Sequence, residues 1–258
     1  MIETAVARYP TVEGSHNLRD LGGLPAAGGK RIRNGLVFRS GSLERLTPVG
    51  VDQFLALGIG MIFDFRSASE RDHAPTMWLA DHDIARWQLG AHESLGDPRP
   101  LLAQSLRSAE QTRTMMRGVY RDLPVSHRRS YSALFKSLAR NDHPILFHCA
   151  AGKDRTGVAT ALLFALLGTE RGEIEADYQA TNLVIDATTQ MFLADPRNDA
   201  ASSSPRENWA PMMSADPAYL DTMFDAVLTA HGSVENYART ALGLSTSDIE
   251  RLRSRLCE

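Results

Sequence analysis

Cysteine is almost missing from this chain: its 258 residues hold two, Cys149 and Cys257. Secreted disulfide scaffolds carry several pairs, so free thiols in a reducing compartment are expected. Cys257 is the penultimate residue, where a mobile terminus is expected. Surplus charge is missing too. The net charge is -3 and the pI about 6.2, which excludes a general nucleic-acid binder. No apolar run approaches the ~20 residues of a membrane span, so stable membrane insertion is not expected; Leu162 to Leu167 is far too short. Met1 to Pro10 has no basic stretch leading into an apolar run. A cytoplasmic location is expected, with signal-less secretion left open. The eight histidines show no paired ligand spacing such as H-x-x-x-H. Internal repeats are absent. Lysine is scarce as well: Lys30, Lys136 and Lys153 are the lysines among 28 basic residues.

What is present is ordinary globular material, 43% hydrophobic and 23% charged, long enough to bury a full core as one α/β domain over residues 1–258. Gly35 to Arg39 and Gly60 to Phe65 read as short buried strands. Between them Pro48 to Leu57 predicts a helix, with Thr47 as N-cap and Gly58 at its end, completing a βαβ unit of the kind that builds parallel sheets. Ile84 to Leu89 is a further candidate strand. Helices are expected over Leu101 to Leu123 and over Pro124 to Arg140. Pro144 to His148 is a compact apolar strand, and Thr156 to Leu167 an all-round apolar helix closed by Gly168. Glu170 to Thr181 continues as helix. Asp195 to Pro217 mixes Pro, Asn, Asp and Ser with Trp209, Met212 and Met213, which fits either a lid or a long surface loop. Helices near Tyr219 to His231, Val234 to Leu242 and Ser247 to Leu256 finish the chain.

The chemistry sits between the apolar strand and the apolar helix, in His148-Cys149-Ala150-Ala151-Gly152-Lys153-Asp154-Arg155-Thr156-Gly157. A strand–loop–helix of this kind aims backbone N–H groups and a positive helix end into one concavity, a ready phosphate site. The same field favours a thiolate over a thiol. Arg155 can grip two phosphate oxygens, and Thr156 can donate its hydroxyl to the sulfur. His148, its side chain expected to point away from the cavity, can brace the loop. The competing reading is a buried, inert cysteine at a strand end. A Walker-type nucleotide loop fits worse, because the G-x-x-x-x-G-K-[ST] order is missing.

This loop resembles the C-x5-R signature of protein tyrosine phosphatases, and its Lys-Asp pair most resembles the bacterial atypical tyrosine and phosphoinositide phosphatases. Asn17-Leu18-Arg19-Asp20-Leu21-Gly22-Gly23, Phe38-Arg39-Ser40-Gly41-Ser42 with Leu46-Thr47, Asp64-Phe65-Arg66-Ser67 with Glu70, and Ala176-Asp177-Tyr178 with Thr181-Asn182 resemble further blocks of the same family, in order, over residues 15 to 185. The resemblance implies a tyrosine-phosphatase-like α/β fold: a central, mostly parallel sheet flanked by helices, with a helical C-terminal region. It implies two-step hydrolysis without a metal or other cofactor. Cys149 is the implied nucleophile; Arg155 and the amides of Ala150, Ala151, Gly152, Lys153, Thr156 and Gly157 hold the phosphate. The substrate would be a phosphorylated protein or a phosphoinositide.

No Trp-Pro-Asp is present to supply the leaving-group proton. In the atypical enzymes the Asp inside the loop is the proposed acid, which here is Asp154; it could instead merely complement the helix dipole. Asp64 and Asp97 are further candidates for the acid, and Asp64 or Arg66 could instead orient the loop or bind substrate. Lys153 either adds charge at the rim, favouring substrates with several phosphates, such as phosphoinositides, or doubly charged phosphotyrosine, or is a solvated surface lysine. Asn17, Arg19 and Asp20 are expected to pin the N-terminal segment to the sheet. An inactive phosphate-binding module is the alternative function, although cysteine, arginine and acid are all present.

Overall fold

The computed structural model describes residues 8–89, 108–195, 198 and 203–258. Its sheet has five strands, β1 (Arg19–Asp20), β2 (Val37–Ser40), β3 (Met61–Asp64), β4 (Ala85–Gln88) and β5 (Ile145–His148), in the order β1-β2-β5-β3-β4. Among the described residues only the β1–β2 pair is antiparallel; the other pairings are parallel. β5 enters between β2 and β3, so the βαβ unit expected there straddles the central strand. Both faces of β5 are covered, and its residues alternate between two cores: Ile145 and Phe147 pack in one with Val37 and Phe63, Leu146 in the other with Phe38 and Ile62. A strand buried on both sides reads as a continuous apolar run, which is why this one stands out in the sequence.

Helix α1 (Pro48–Leu55) begins at Thr47, whose hydroxyl accepts from the Gly50 N–H at 3.0 Å, and covers the second core. Helix α2 (Ala68–His73) follows β3. On the larger core lie α3 (Ala109–Ser126), α4 (Arg128–Arg140) and α5 (Asp154–Leu167), the last buried on nearly every face and closed by Gly168 at φ 80°. Then come α6 (Arg171–Gln179), α7 (Ile185–Leu193), α8 (Arg206–Met213), α9 (Pro217–His231), α10 (Val234–Thr240) and α11 (Thr246–Leu256).

Three expectations change. The first of the paired helices reaches past Pro124 to Ser126, because a proline in the last turn removes one hydrogen bond without blocking it, and the break falls at His127. Residues 101–107 lie outside the described residues. The stretch from 195 to 217 is no plain loop: its 206–213 portion is α8, packed on α3 and α7, with Trp209 and Met212 buried. Nor is Cys257 at a loose end. It is buried, it bridges Ile32, and Glu258 and Arg31 exchange backbone hydrogen bonds at 2.9 and 2.8 Å.

Candidate active site

Ser40 and Asp64 both stand in register with His148, so three parallel strands end level and Cys149 leaves from the middle of the row. The carboxyl ends of such strands are where α/β folds place their ligands. From there the chain curls through residues 150–153 into the N-terminus of α5. Gly152 makes the curl possible. It sits at φ 68°, and a side chain there would run into the backbone of Ser40 and Gly41.

The loop's carbonyls are claimed from outside. Ala150 O accepts from the Ser42 N–H at 2.9 Å and from His16 Nε2 at 3.0 Å. Asn17 Nδ2 donates to Ala151 O and Gly152 O at 3.0 and 3.1 Å, and Arg39 adds a 2.6 Å bond to Gly152 O. Tyr131 donates to Arg155 O at 3.0 Å. In a trans peptide the N–H points opposite to the C=O, so tying these carbonyls outward turns the N–H groups the other way. Among the described residues, no acceptor takes the backbone N–H groups of residues 150 to 156. Thr156 Oγ1 is likewise buried without a partner. An anion of phosphate size is what such a set of donors can bind.

Arg155 closes the site. Its guanidinium meets Glu70 in a two-point pair, 2.7 Å at each nitrogen, and donates to Phe65 O at 3.0 Å. Glu70 also accepts from the Ser67 N–H in the capping box of α2. Burial alone would push the Glu70 carboxyl up, but Arg155 and those bonds bring it down to about 2. Burial likewise works against the Arg155 cation, and the charges of Glu70, Cys149 and Asp154 more than restore it.

Behind the loop a single carboxylate gathers three arginines. Asp177 is held by Arg8 at 2.6 Å, Arg19 at 3.1 Å and Arg39 at 2.8 Å, all but Arg8 wholly buried. Burial disfavours its charge, yet the arginines hold it well below the carboxylate range. Arg39 is pushed down to about 10, chiefly by burial and by the like charge of Arg19. Arg39 thus ties the Asp177 cluster to the loop. Asn17, held at φ 54°, reaches the loop directly rather than only pinning its own segment. Asp20 instead accepts from the Gly22 and Gly35 N–H groups.

The remaining candidates separate. Asp64 binds Arg66 through both oxygens, at 3.0 and 2.8 Å. Burial opposes its charge, but His148 and Arg66 hold it below its ordinary value. His148 is buried and shifted down, chiefly by burial, with Nδ1 3.2 Å from Cys149 O. Lys153 is neither at the rim nor solvated. Only 3% exposed, it donates to Met212 O and, at 3.3 Å, to Ser214 O at the end of α8, and lies 3.2 Å from Asp154. Asp154 accepts from Tyr120 at 2.9 Å and keeps a partly open side chain. Asp97 lies outside the described residues.

Glu70, Asp177 and Tyr178 stand in the motifs quoted from the sequence, but without roles; His16, Arg39 and Tyr120 had none either. Arg39 left a signal, a charged residue in the apolar run Val37-Phe38-Arg39, which requires a buried counter-ion.

The sequence pattern of the tyrosine phosphatase family matches residues 10–258. A Cupriavidus necator protein assigned by name to the tyrosine-protein phosphatases is 33% identical over 94% of this chain and 89% of its own. A tyrosine-protein phosphatase of Nostoc commune is 27% identical over 90% of this chain and 78% of its own. The triple specificity protein phosphatase PtpB of Mycobacterium tuberculosis is 27% identical over 93% and 96%.

Proposed function

The chain belongs to the tyrosine phosphatase family, and on that premise we propose that it is a metal-independent phosphomonoesterase working through a phosphocysteine on Cys149. The observation that carries the reading is the loop from 150 to 156, whose carbonyls are tied outward and whose N–H groups have no acceptor among the described residues. Cys149 opens that loop and Arg155 stands at its end.

In the first step the sulfur attacks phosphorus, the P–O bond to the leaving group breaks, and the leaving oxygen takes a proton from Asp154. Water then attacks the phosphocysteine and gives a proton back to Asp154, and the S–P bond breaks to free phosphate. The loop N–H groups and Arg155 stabilise the charge on the equatorial oxygens. Thr156, with its unpartnered buried hydroxyl, donates to the sulfur as it leaves. Asp154 is preferred over Asp64 as the acid, because it stands inside the loop with a partly open side chain, whereas both oxygens of Asp64 are taken up by Arg66.

Phosphotyrosine is the favoured substrate. Lys153 adds no free charge for a second phosphate, since its ammonium is taken up by Met212 O, Ser214 O and Asp154. The test is vanadate-sensitive hydrolysis of p-nitrophenyl phosphate in EDTA, followed by phosphotyrosine peptides against phosphoinositides. EDTA-resistant turnover that vanishes in Cys149→Ser is expected. Turnover that survives Cys149→Ser overturns the phosphocysteine route, and a folded, reduced protein without turnover would be a phosphate-binding module.

A further inference from the structure

The buried tyrosines beside Asp154 form a chain with a fixed direction. Tyr120 Oη lies 2.9 Å from Asp154 Oδ1 and 2.5 Å from Tyr178 Oη. Each hydroxyl has one proton to give. Since Tyr120 gives its own to the carboxylate, Tyr178 must donate to Tyr120. Both rings are fully buried. Tyr120 packs edge-on against Tyr178, with centroids 6.0 Å apart, and tilts against Tyr219 at 5.4 Å, so its hydroxyl cannot swing away without disturbing the core. The last glycine of the loop serves the same assembly: a Cβ on Gly157 would press on the Tyr178 ring at 3.1 Å.

The hydrogen bond from Tyr120 and the ion pair with the Lys153 ammonium, at 3.2 Å, both fall on Oδ1. Among the described residues no hydrogen bond reaches Oδ2. We infer that Tyr120 is a positioning residue for the general acid: its hydroxyl, oriented by Tyr178, fixes Oδ1 and leaves Oδ2 as the oxygen that gives up and regains the proton. The inference rests on the assignment of Asp154 above. Its chemical sense is that Oδ1 stays an acceptor whether or not Oδ2 is protonated. The proton can therefore leave for the departing oxygen and return from water while Tyr120, Tyr178 and Lys153 stay in place. A site that need not rearrange between two steps is pre-organised for both.

The experiment compares two substrates on the same enzyme samples: phenyl phosphate, whose leaving oxygen needs a proton, and p-nitrophenyl phosphate, whose leaving group departs readily without one. The readout is the ratio of their kcat/KM values, which does not depend on how much of a variant is folded. Asp154→Asn should lower the phenyl phosphate rate about 10²-fold or more beyond its effect on p-nitrophenyl phosphate. Tyr120→Phe should shift the same ratio about tenfold in the same direction, the worth of one hydrogen bond to a charged group. In the Asp154→Asn background it should shift the ratio no further. Tyr178→Phe disturbs the same buried pair but spares the bond to Asp154, so it should shift the ratio less than Tyr120→Phe.

A Tyr120→Phe enzyme slowed equally on both substrates, or one whose ratio shift persists in full without Asp154, overturns the positioning role. An unshifted ratio in Asp154→Asn instead removes Asp154 as the acid and this inference with it. Loss of Cys149-dependent turnover on either substrate is read separately, in the Cys149→Ser control.

Discussion

Glu70 does two things at once, and its carboxylate has lone pairs enough for both. It caps α2 through the Ser67 N–H and aims Arg155 through a two-point pair. Glu70→Gln keeps the shape but puts an amide N–H₂ where one arginine nitrogen now donates. The guanidinium must turn, and a misplaced group of this kind costs up to about 10²-fold in rate. We expect kcat on p-nitrophenyl phosphate to fall by that order, with stability lowered by no more than about 3 kcal/mol in urea unfolding. An unchanged kcat would mean that the Arg155 pose does not depend on Glu70. Gly152 makes a sharper case. At φ 68°, with backbone on the side where a Cβ would project, Gly152→Ala has no flexible neighbour to push aside. It should cost at least about 1 kcal/mol in strain and abolish measurable turnover, since the loop must open to admit the methyl group. Near-normal turnover in Gly152→Ala would show the loop to be more yielding than its contacts imply.

At the scale of elements, the loop is a short segment held by its surroundings: β1 and the chain before it through His16 and Asn17, β2 through Arg39, α4 through Tyr131, and α6 through Asp177. Lys153 runs the other way, from the loop out to the carbonyls that end α8. Lys153→Met removes that tie. Amide exchange over residues 206–214 should rise well above its wild-type rate while β5 stays protected, and equal protection in both would show that Trp209 and Met212 hold α8 without the lysine. The sequence made the strand–loop–helix legible because each part has its own local signal: an apolar run, a glycine and an all-round apolar helix. It did not reveal the braces, because Asn17 and Ala151 are joined across the fold and nothing local to either names the other. The burial of Lys153 is illegible for the same reason, since Met212 and Ser214 lie some sixty positions away in a segment whose composition resembles loop. The position of Cys257 near the end of the chain says nothing of the sheet-like pairing with Ile32 and Arg31 that holds it.

For the whole molecule, the site's buried titratable groups set an acid limit on stability. His127, next to the Arg155 backbone hydrogen-bond partner Tyr131 and stacked on its ring at 5.9 Å, is pushed from 6.5 down to about 3, first by burial and then by the Arg155 cation. His148 and His16 are also shifted down, chiefly by burial. A histidine held neutral in the fold but protonated in the unfolded chain makes the unfolded state bind more protons, so stability is present above pH 6.5 and falls as the pH drops below it. At pH 5 His127 alone accounts for roughly 2 kcal/mol, by 1.36 kcal/mol per unit. Glu70 acts lower down. Its folded value of about 2 lies below its ordinary 4.5, so its contribution is present above pH 4.5 and is lost as the pH falls from there towards 2. Urea unfolding should therefore show stability declining already between pH 7 and 5, before the carboxylates titrate. His127→Phe keeps a ring against Tyr131 and removes the proton site, so it should flatten that limb by roughly 2 kcal/mol while leaving the fall below pH 4.5 intact. A wild-type curve flat from pH 7 to 5, or a variant with the same slope, would mean that His127 titrates freely in the fold.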